Sequence, residues 1–328
     1  MKEILVTGGA GYIGSHVVKM LAGRGYTPVV YDSLENGHRD FVSEYELVQG
    51  DIGDYETLAA LFKKRRIECV MNFASYIAVG ESVQNPLKYY RNNVAKTLEL
   101  FRAMNDHGVK RFIFSSTAAV YGYPEAVPIR EESPLCPINP YGRTKHIIEQ
   151  VLGDLDASDF FRSISLRYFN AAGADPSGSI GESHVPETHI IPLVMRAVLE
   201  DDYSLTIFGT DYKTPDGTCL RDYIHVNDLA SAHVLALENI LAENTTKVFN
   251  LGNGTGFSVR EVIESVRRVT GKEPRVQEGP RRPGDPDALV ASSERARAEL
   301  GWKPEMADLD TIVETAWKWE RRGKRKGW

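Results

Sequence analysis

A doubly wound parallel α/β sheet with a smaller C-terminal α/β lobe follows from three features of the sequence. Short apolar, β-rich runs alternate with helical patterns through the first half, a glycine-rich turn joins the first run to the first helix, and the alternation stops after Asn170. The strand runs are Glu3–Thr7, Pro28–Asp32, Tyr45–Gln49, Cys69–Phe73, Arg111–Ser115 and Ser163–Arg167, near-continuously or half apolar as strands covered on both faces are. Between them, apolar positions recur at three and four over Ser15–Arg24, Tyr55–Arg65, Asn92–His107 and Tyr141–Leu155, which predicts helices.

Residues 173–189 are rich in Gly, Ser, Pro and Glu with no sustained period, and predict a long functional or mobile loop. A helix is then expected over Pro192–Leu199, strands over Leu205–Phe208, Asp222–Val226 and Lys247–Leu251, and helices over Val226–Glu238, Ser258–Thr270 and Leu309–Arg321. A Pro/Gly/Arg-rich segment occupies Pro280–Pro286. The expected division is a first domain of residues 1–170, rejoined by a segment near 219–250, and a smaller lobe of 171–218 with 251–328.

Composition narrows the functional classes. The 328 residues suffice for two lobes at about 150 per domain, and 42% apolar with 26% charged residues is an ordinary globular mix. No stretch approaches the roughly 18 apolar residues of a membrane helix. A net charge of −6 argues against a nucleic-acid surface, and the basic run Arg321–Lys326 reads as a solvated tail. Cys69, Cys136 and Cys219 are odd in number, far apart and without a CxxC pair, so neither a disulfide framework nor a thiolate zinc site is expected. The eight histidines form no HxxxH or HExxH, and no metal is expected. With a strand beginning directly behind Met1-Lys2-Glu3, a cytoplasmic protein is expected.

The chemistry-bearing residues lie at strand ends. Gly8, Gly11 and Gly14 fall in a turn between strand and helix, where missing side chains let backbone amides and a helix N-terminus approach a pyrophosphate. Such a turn can also need glycine for its φ angles alone. Asp32 closes the second strand, where a carboxylate accepts hydrogen bonds from an adenine-ribose diol and disfavours the extra phosphate of NADP, so NAD is the expected cofactor. Asp51, after the third strand, either faces the adenine or is a turn residue.

Of the 15 tyrosines, only Tyr141 has a lysine four residues on, Lys145, which places both on one helical face. A neighbouring ammonium and a positively charged nicotinamide would both stabilise the phenolate and make it a usable base. The fifth strand ends in Ser115-Ser116-Thr117, putting hydroxyls at the carboxyl edge of the sheet. Hydroxyl, phenol and ammonium together suit hydride chemistry at an alcohol.

These residues carry a resemblance. Thr7–Gly14, Asp32 with Asn36, Gly50-Asp51-Ile52, Phe73-Ala74, Val79–Ser82, Tyr89–Asn93, Ser115–Gly122, Asn139–Lys145, Arg167–Asn170, Phe208-Gly209, Asp216–Thr218, Arg221–Val226 and Arg281–Asp285 follow in the order of the extended short-chain dehydrogenase/reductase family, and within it resemble the UDP-sugar 4-epimerases. The resemblance covers nearly the whole chain. It implies a Rossmann lobe and an NAD-dependent interconversion of UDP-glucose and UDP-galactose through a 4-keto sugar, with hydride returned to the opposite face. Tyr141 would be the base, Lys145 would hold the nicotinamide ribose, and Thr117 would bond the sugar 4-hydroxyl. It further implies cofactor contacts from Tyr12, Ile13, Asn36, Ile52, Phe73, Ala74, Asn92, Ser115 and Tyr168. UDP-sugar contacts would come from Asn170, His189, Ile190, Thr206, Phe208, Arg221, Arg282 and Asp285. Pairing into a homodimer through Tyr89–Met104 and Tyr141–Leu155 is implied as well.

The chain departs from the pattern at three positions: Ile77 stands where many members have a cofactor-contacting lysine, His189 where some have Asn, and Leu289 at a position some use as a gate for N-acetylated sugars. Related 4,6-dehydratases follow the strand-end threonine with Asp-Glu; Ala118-Ala119 stands here, so elimination lacks its proton carriers. Decarboxylation of UDP-glucuronate would need a cationic site for a C6 carboxylate that no motif supplies. The open alternatives are a 4-epimerase of UDP-N-acetylglucosamine or UDP-glucuronate, or a non-catalytic NAD and UDP-sugar sensor.

Overall fold

The computed structural model describes residues 1–282 and 285–323. Pro283-Gly284 of the Pro/Gly/Arg-rich segment and Lys324–Lys326 of the basic run lie outside the described residues.

Six strands follow the expected alternation: β1 (Glu3–Thr7), β2 (Thr27–Asp32), β3 (Glu46–Gln49), β4 (Ile67–Asn72), β5 (Arg111–Ser115) and β6 (Arg162–Tyr168). The helices of this half are α1 (Tyr12–Gly23), α2 (Tyr55–Lys64), α3 (Val79–Gln84), α4 (Pro86–Tyr89), α5 (Lys96–Asp106) and α6 (Pro140–Ala157). Then come β7 (Asn170–Ala172), α7 (Ile190–Leu199), β8 (Leu205–Phe208), β9 (Leu220–Arg221), β10 (Tyr223–His225), α8 (Val226–Glu243) and β11 (Lys247–Leu251). The chain closes through β12 (Phe257–Ser258), α9 (Val259–Thr270), β13 (Val276–Gly279), β14 (Ala288–Leu289), α10 (Glu294–Glu299) and α11 (Leu309–Glu320).

The central sheet is parallel and seven-stranded, in the order β11-β6-β5-β4-β1-β2-β3. The seventh strand is β11, which crosses back from the second half to pair with β6. Alternation along each strand feeds two cores: Ile4 and Val6 pack toward α1 and α8, whereas Leu5 packs toward α2, α5 and α6. The strand order reverses beside β1, so the ends of β1 and β4 frame a switch point, the place where open α/β sheets bind ligands.

The second lobe has its own core, where α7, α9 and α11 pack through Val194, Met195, Val262, Val266, Ile312 and Val313. Around it lie small sheets: β7 with β10, β8 with β13, and β9 between β12 and β14. Asp222, between β9 and β10, ties two of these sheets to the segments after β11 and β14. Its buried carboxylate accepts from the amides of Asn253 at 2.7 Å and Ala291 at 3.1 Å. No helix among the described residues is long and apolar enough to cross a membrane.

Two helix starts differ from expectation. α1 opens at Tyr12 and not at Ser15, because the glycine turn runs straight into the helix with Gly11 as its N-cap. The helix expected from Asn92 begins as a π-type turn over Tyr90–Ala95. There the buried Asn93 side chain donates to the Tyr76 carbonyl at 3.0 Å and the Thr144 hydroxyl at 3.2 Å, stitching this segment to α6.

Gly14 shows how tightly the turn is built: a Cβ there would lie 2.3 Å from the Gly8 carbonyl oxygen and 2.8 Å from Gly9 Cα. Backbone against backbone cannot give way. Gly14→Ala is expected to destabilise the fold by about 3 kcal/mol, read as a lower urea midpoint at unchanged slope.

Candidate active site

The turn after β1 is the first half of the site. Gly8 has φ +71°, and a Cβ on it would meet the Ala74 amide nitrogen at 2.5 Å, so the ends of β1 and β4 approach as only glycine allows. Phe73 donates its amide to the Thr7 carbonyl at 2.8 Å and keeps that approach in register. At Gly11 a Cβ would meet, among the described residues, only the Gly8 oxygen, at 3.3 Å, so they leave its outer side open. No side chain caps α1 and no acid stands in its first turn, which leaves the positive end of the helix directed at the opening. Ile13 packs on the sheet core, and Tyr12 donates its hydroxyl to the Gly173 carbonyl at 2.6 Å.

Asp32 lies at the end of β2, its carboxylate accepting from the amides of Ala10 at 2.9 Å and Leu34 at 2.8 Å. Burial pushes its pKa up, and these two amides and His38 oppose the rise. Asn36 is exposed in the loop beyond. Asp51 accepts from the Gly53 amide at 2.8 Å and pairs with Lys96, a turn geometry, while Ile52 beside it is buried.

The second half of the site is the β5 end facing α6. Asn139 caps α6, its side chain accepting from the Gly142 amide at 2.8 Å, and Ser82 accepts from the Tyr141 amide at 3.2 Å. Tyr141 and Lys145 thus project from a fixed first turn. Thr117 hydrogen-bonds the Tyr141 phenol; burial raises the phenol's pKa and this bond lowers it. Lys145 is 3% exposed and donates to the Ser115 carbonyl at 2.8 Å, its one hydrogen bond to a described residue. Burial lowers its pKa to about 7, with the Glu149 carboxylate acting in the other direction. The Ser115 hydroxyl bonds the Tyr168 hydroxyl, and burial raises that phenol too. Asn92 lies in the π-type turn and donates to the Asn93 side chain at 3.1 Å.

The second lobe supplies a patch of already paired groups. Arg221 pairs with Asp285, and the Arg282 guanidinium lies 4.0 Å from the centroid of the Phe208 ring. Thr206 accepts from Gln277 at 3.0 Å, and the Asn170 side chain donates to the Asp222 carbonyl at 3.1 Å. His189 is the N-cap of α7, which begins at Ile190, and its Nδ1 lies 2.8 Å from a Glu187 oxygen. Glu182, His184 and His189 bring ligand-type atoms within 4.8 Å of one another, but each histidine Nδ1 already faces a carboxylate. Ile77, at the expected lysine position, is 40% exposed, and Leu289 packs on the cluster of Ala118, Val120, Tyr121 and Ile129.

Residues 4–252 match the NAD dependent epimerase/dehydratase family. The chain belongs to that family. It is 49% identical over 320 residues to a UDP-glucose 4-epimerase of Lactobacillus helveticus, covering 97% of each chain. Its fold superposes on a UDP-glucose 4-epimerase from Brucella ovis in complex with NAD with a TM-score of 0.93 at 49% identity, covering 96% of this chain and 97% of that one. A UDP-glucose 4-epimerase from Bifidobacterium longum in complex with NAD+ and UDP gives 0.92 at 38% identity, covering 98% of each chain.

NAD, the cofactor of this family, fits the residues present. The open side of Gly11 and the uncapped α1 terminus suit a pyrophosphate, Asp32 offers a carboxylate at the right strand end, and buried Lys145 keeps ammonium protons beyond the one given to Ser115. Sequence reasoning missed the residues behind these groups: Ser82 and Asn93, and Glu149 with Arg167. Ser82, Asn93 and Arg167 fell inside blocks that carry the resemblance but had no role assigned, and Glu149 lay one further helical turn beyond Tyr141 and Lys145.

Lys145 sets a pH dependence. Between about pH 7 and its ordinary value of 10.5, the unfolded chain holds a proton that the folded, ligand-free chain has released, so this residue's contribution to stability rises with pH there. Lys145→Met is therefore expected to melt above the parent chain near about pH 6, and the gap is expected to shrink by about pH 9. Melting curves of the nucleotide-free proteins check this; a gap independent of pH contradicts it.

Proposed function

We propose that this chain interconverts UDP-glucose and UDP-galactose by transient oxidation at C4 of the hexose. The observation that carries the reading is the convergence of Thr117, Tyr141 and Lys145 at the carboxyl end of the sheet, where α6 faces the end of β5. When bound, NAD supplies the chemistry no side chain offers: acceptance of a hydride from C4 and its return to the opposite face.

The proposed roles divide by lobe. Gly8, Gly11 and Gly14, with the amides of Tyr12 and Ile13, hold the pyrophosphate; Asp32 and Asn36 take the adenine ribose, and Asp51 and Ile52 flank the adenine. Phe73, Ala74, Asn92, Ser115 and Tyr168 would supply further cofactor contacts, and Lys145 would donate to the nicotinamide ribose. Thr117 bonds the sugar 4-hydroxyl, Tyr141 takes that proton, and the 4-keto sugar turns about its link to the diphosphate before Tyr141 returns the proton. Burial holds the Tyr141 phenol up, so proton removal relies on positive charge arriving beside it. Arg221 and Arg282 grip the diphosphate, Asp285 accepts from the uridine ribose, and Phe208 lines the uracil pocket. Asn170, His189, Ile190 and Thr206 complete the UDP-sugar site. Nucleotide binding therefore exchanges the Arg221–Asp285 pair and the Arg282–Phe208 stack for contacts to the ligand.

Residues 1–170 with the returning segment near 219–250 form the NAD lobe, a division supported by the pairing of β11 with β6 and the packing of α8 into the β1–α1 core, while β9 and β10 of that segment join the small sheets of the other lobe. The rest forms the UDP-sugar lobe. We place the enzyme in the cytoplasm as a homodimer; exposed Val83, Leu87 and Leu98, on α3, α4 and α5, support a paired face on that side.

Incubation with UDP-galactose is expected to yield UDP-glucose without net NADH. Tyr141→Phe is expected to slow this about a thousandfold at an unchanged melting temperature. Undiminished turnover in that variant would overturn the assignment of the base.

A further inference from the structure

α6 carries a third polar residue on the face of Tyr141 and Lys145. Glu149 stands one turn beyond Lys145, as Lys145 stands one turn beyond Tyr141. Its carboxylate accepts from the Ser116 hydroxyl at 2.6 Å and from Arg167 at two points, Nε at 2.9 Å and Nη2 at 2.6 Å. The Glu149 and Arg167 side chains are 7% and 5% exposed. A buried bidentate pair of this kind costs desolvation, and replacing such pairs by well-packed apolar residues is often neutral or stabilising. Its position explains it better.

Ser116 lies between the two groups that touch the reacting side chains. The Ser115 carbonyl accepts from Lys145, and Thr117 bonds the Tyr141 phenol, so fastening Ser116 to α6 fixes both distances. Glu149 is also the carboxylate that acts on Lys145. The other groups facing this region are Tyr141 from α6, the Ser115 carbonyl and Phe114 ring from β5, and Arg167 and Tyr168 from β6. Arg167 is drawn off by the Tyr121 hydroxyl at 2.8 Å and the Glu131 carbonyl at 3.3 Å, while the Glu131 carboxylate accepts from the Asn250 amide. The anionic end of the pair is therefore the end on the lysine's helix.

We infer that Glu149, clamped by Arg167 and Ser116, is a positioning residue for the epimerisation, holding Lys145 as an ammonium and the Ser115–Thr117 strand end against Tyr141. The inference rests on the reaction proposed above. Glu149→Gln keeps the shape and the bond to Ser116 but removes the charge. In the holoenzyme its expected signature is an alkaline limb of kcat moved about one pH unit toward acid, with kcat down about tenfold and KM for UDP-galactose within about twofold.

Because that variant leaves Arg167 buried without its partner, the double variant Glu149→Gln/Arg167→Gln is made beside it. It is expected to move the limb in the same direction by less, since a cation leaves with the anion. Ser116→Ala is expected to lower kcat with the limb in place. A limb at the parent position in both Glu149 variants overturns the inference. The titration of the Lys145 side-chain nitrogen by NMR, assigned by its loss in Lys145→Met, reads the same quantity without turnover. An inactive parent chain would thus sink the functional reading alone, whereas an unmoved lysine titration would sink the inference alone.

Discussion

The site depends on how closely β1 and β4 bring their carboxyl ends together. Gly8 sits with its α-carbon against the Ala74 backbone, and Gly14 rests against the Gly8 carbonyl, so strand, turn and helix share space that a single methyl group would deny. Parallel strands place every βα turn on the same edge, and the reversal of order beside β1 opens a crevice there. Once that approach is fixed, the positive end of α1, the carboxylate of Asp32 and the hydroxyls at the end of β5 all lie at one edge of the sheet. The chemistry is a consequence of backbone geometry before it is one of side chains.

Burial then sets the electrostatics. Tyr141 is held neutral by its surroundings and Lys145 is brought close to losing its proton, so the phenol is not in its reactive state by itself. A bound oxidised nicotinamide would supply positive charge that favours the phenolate, a charge that hydride transfer would neutralise. With that charge present the phenolate would be available to take the 4-hydroxyl proton, and with it neutralised the phenol's pKa would rise again. A site with an intrinsically acidic phenol would lack this coupling.

Much of this was legible in the sequence. The six strands of the first half announced themselves because both faces are covered, and the YxxxK spacing places Tyr141 and Lys145 on one helical face whatever the tertiary fold. The π-type turn at Tyr90–Ala95 was not legible, since it arises from Asn93 reaching Tyr76 and Thr144, contacts that no local period encodes. Two-residue strands such as β9, β12 and β14 are too short to carry a pattern. The return of β11 to β6 required a long-range pairing, although the strand itself was readable. Arg221 and Asp285 were visible as candidates, but their mutual pairing was not.

The central claim is that the hydride removed from C4 stays in the site and returns to the same carbon. UDP-galactose deuterated at C4, converted to equilibrium in ordinary water, tests it most directly. The account predicts UDP-glucose that keeps the deuterium at C4 with none exchanged into solvent. Product with protium at C4 would contradict it, because the configuration would then have been inverted through a proton taken from water.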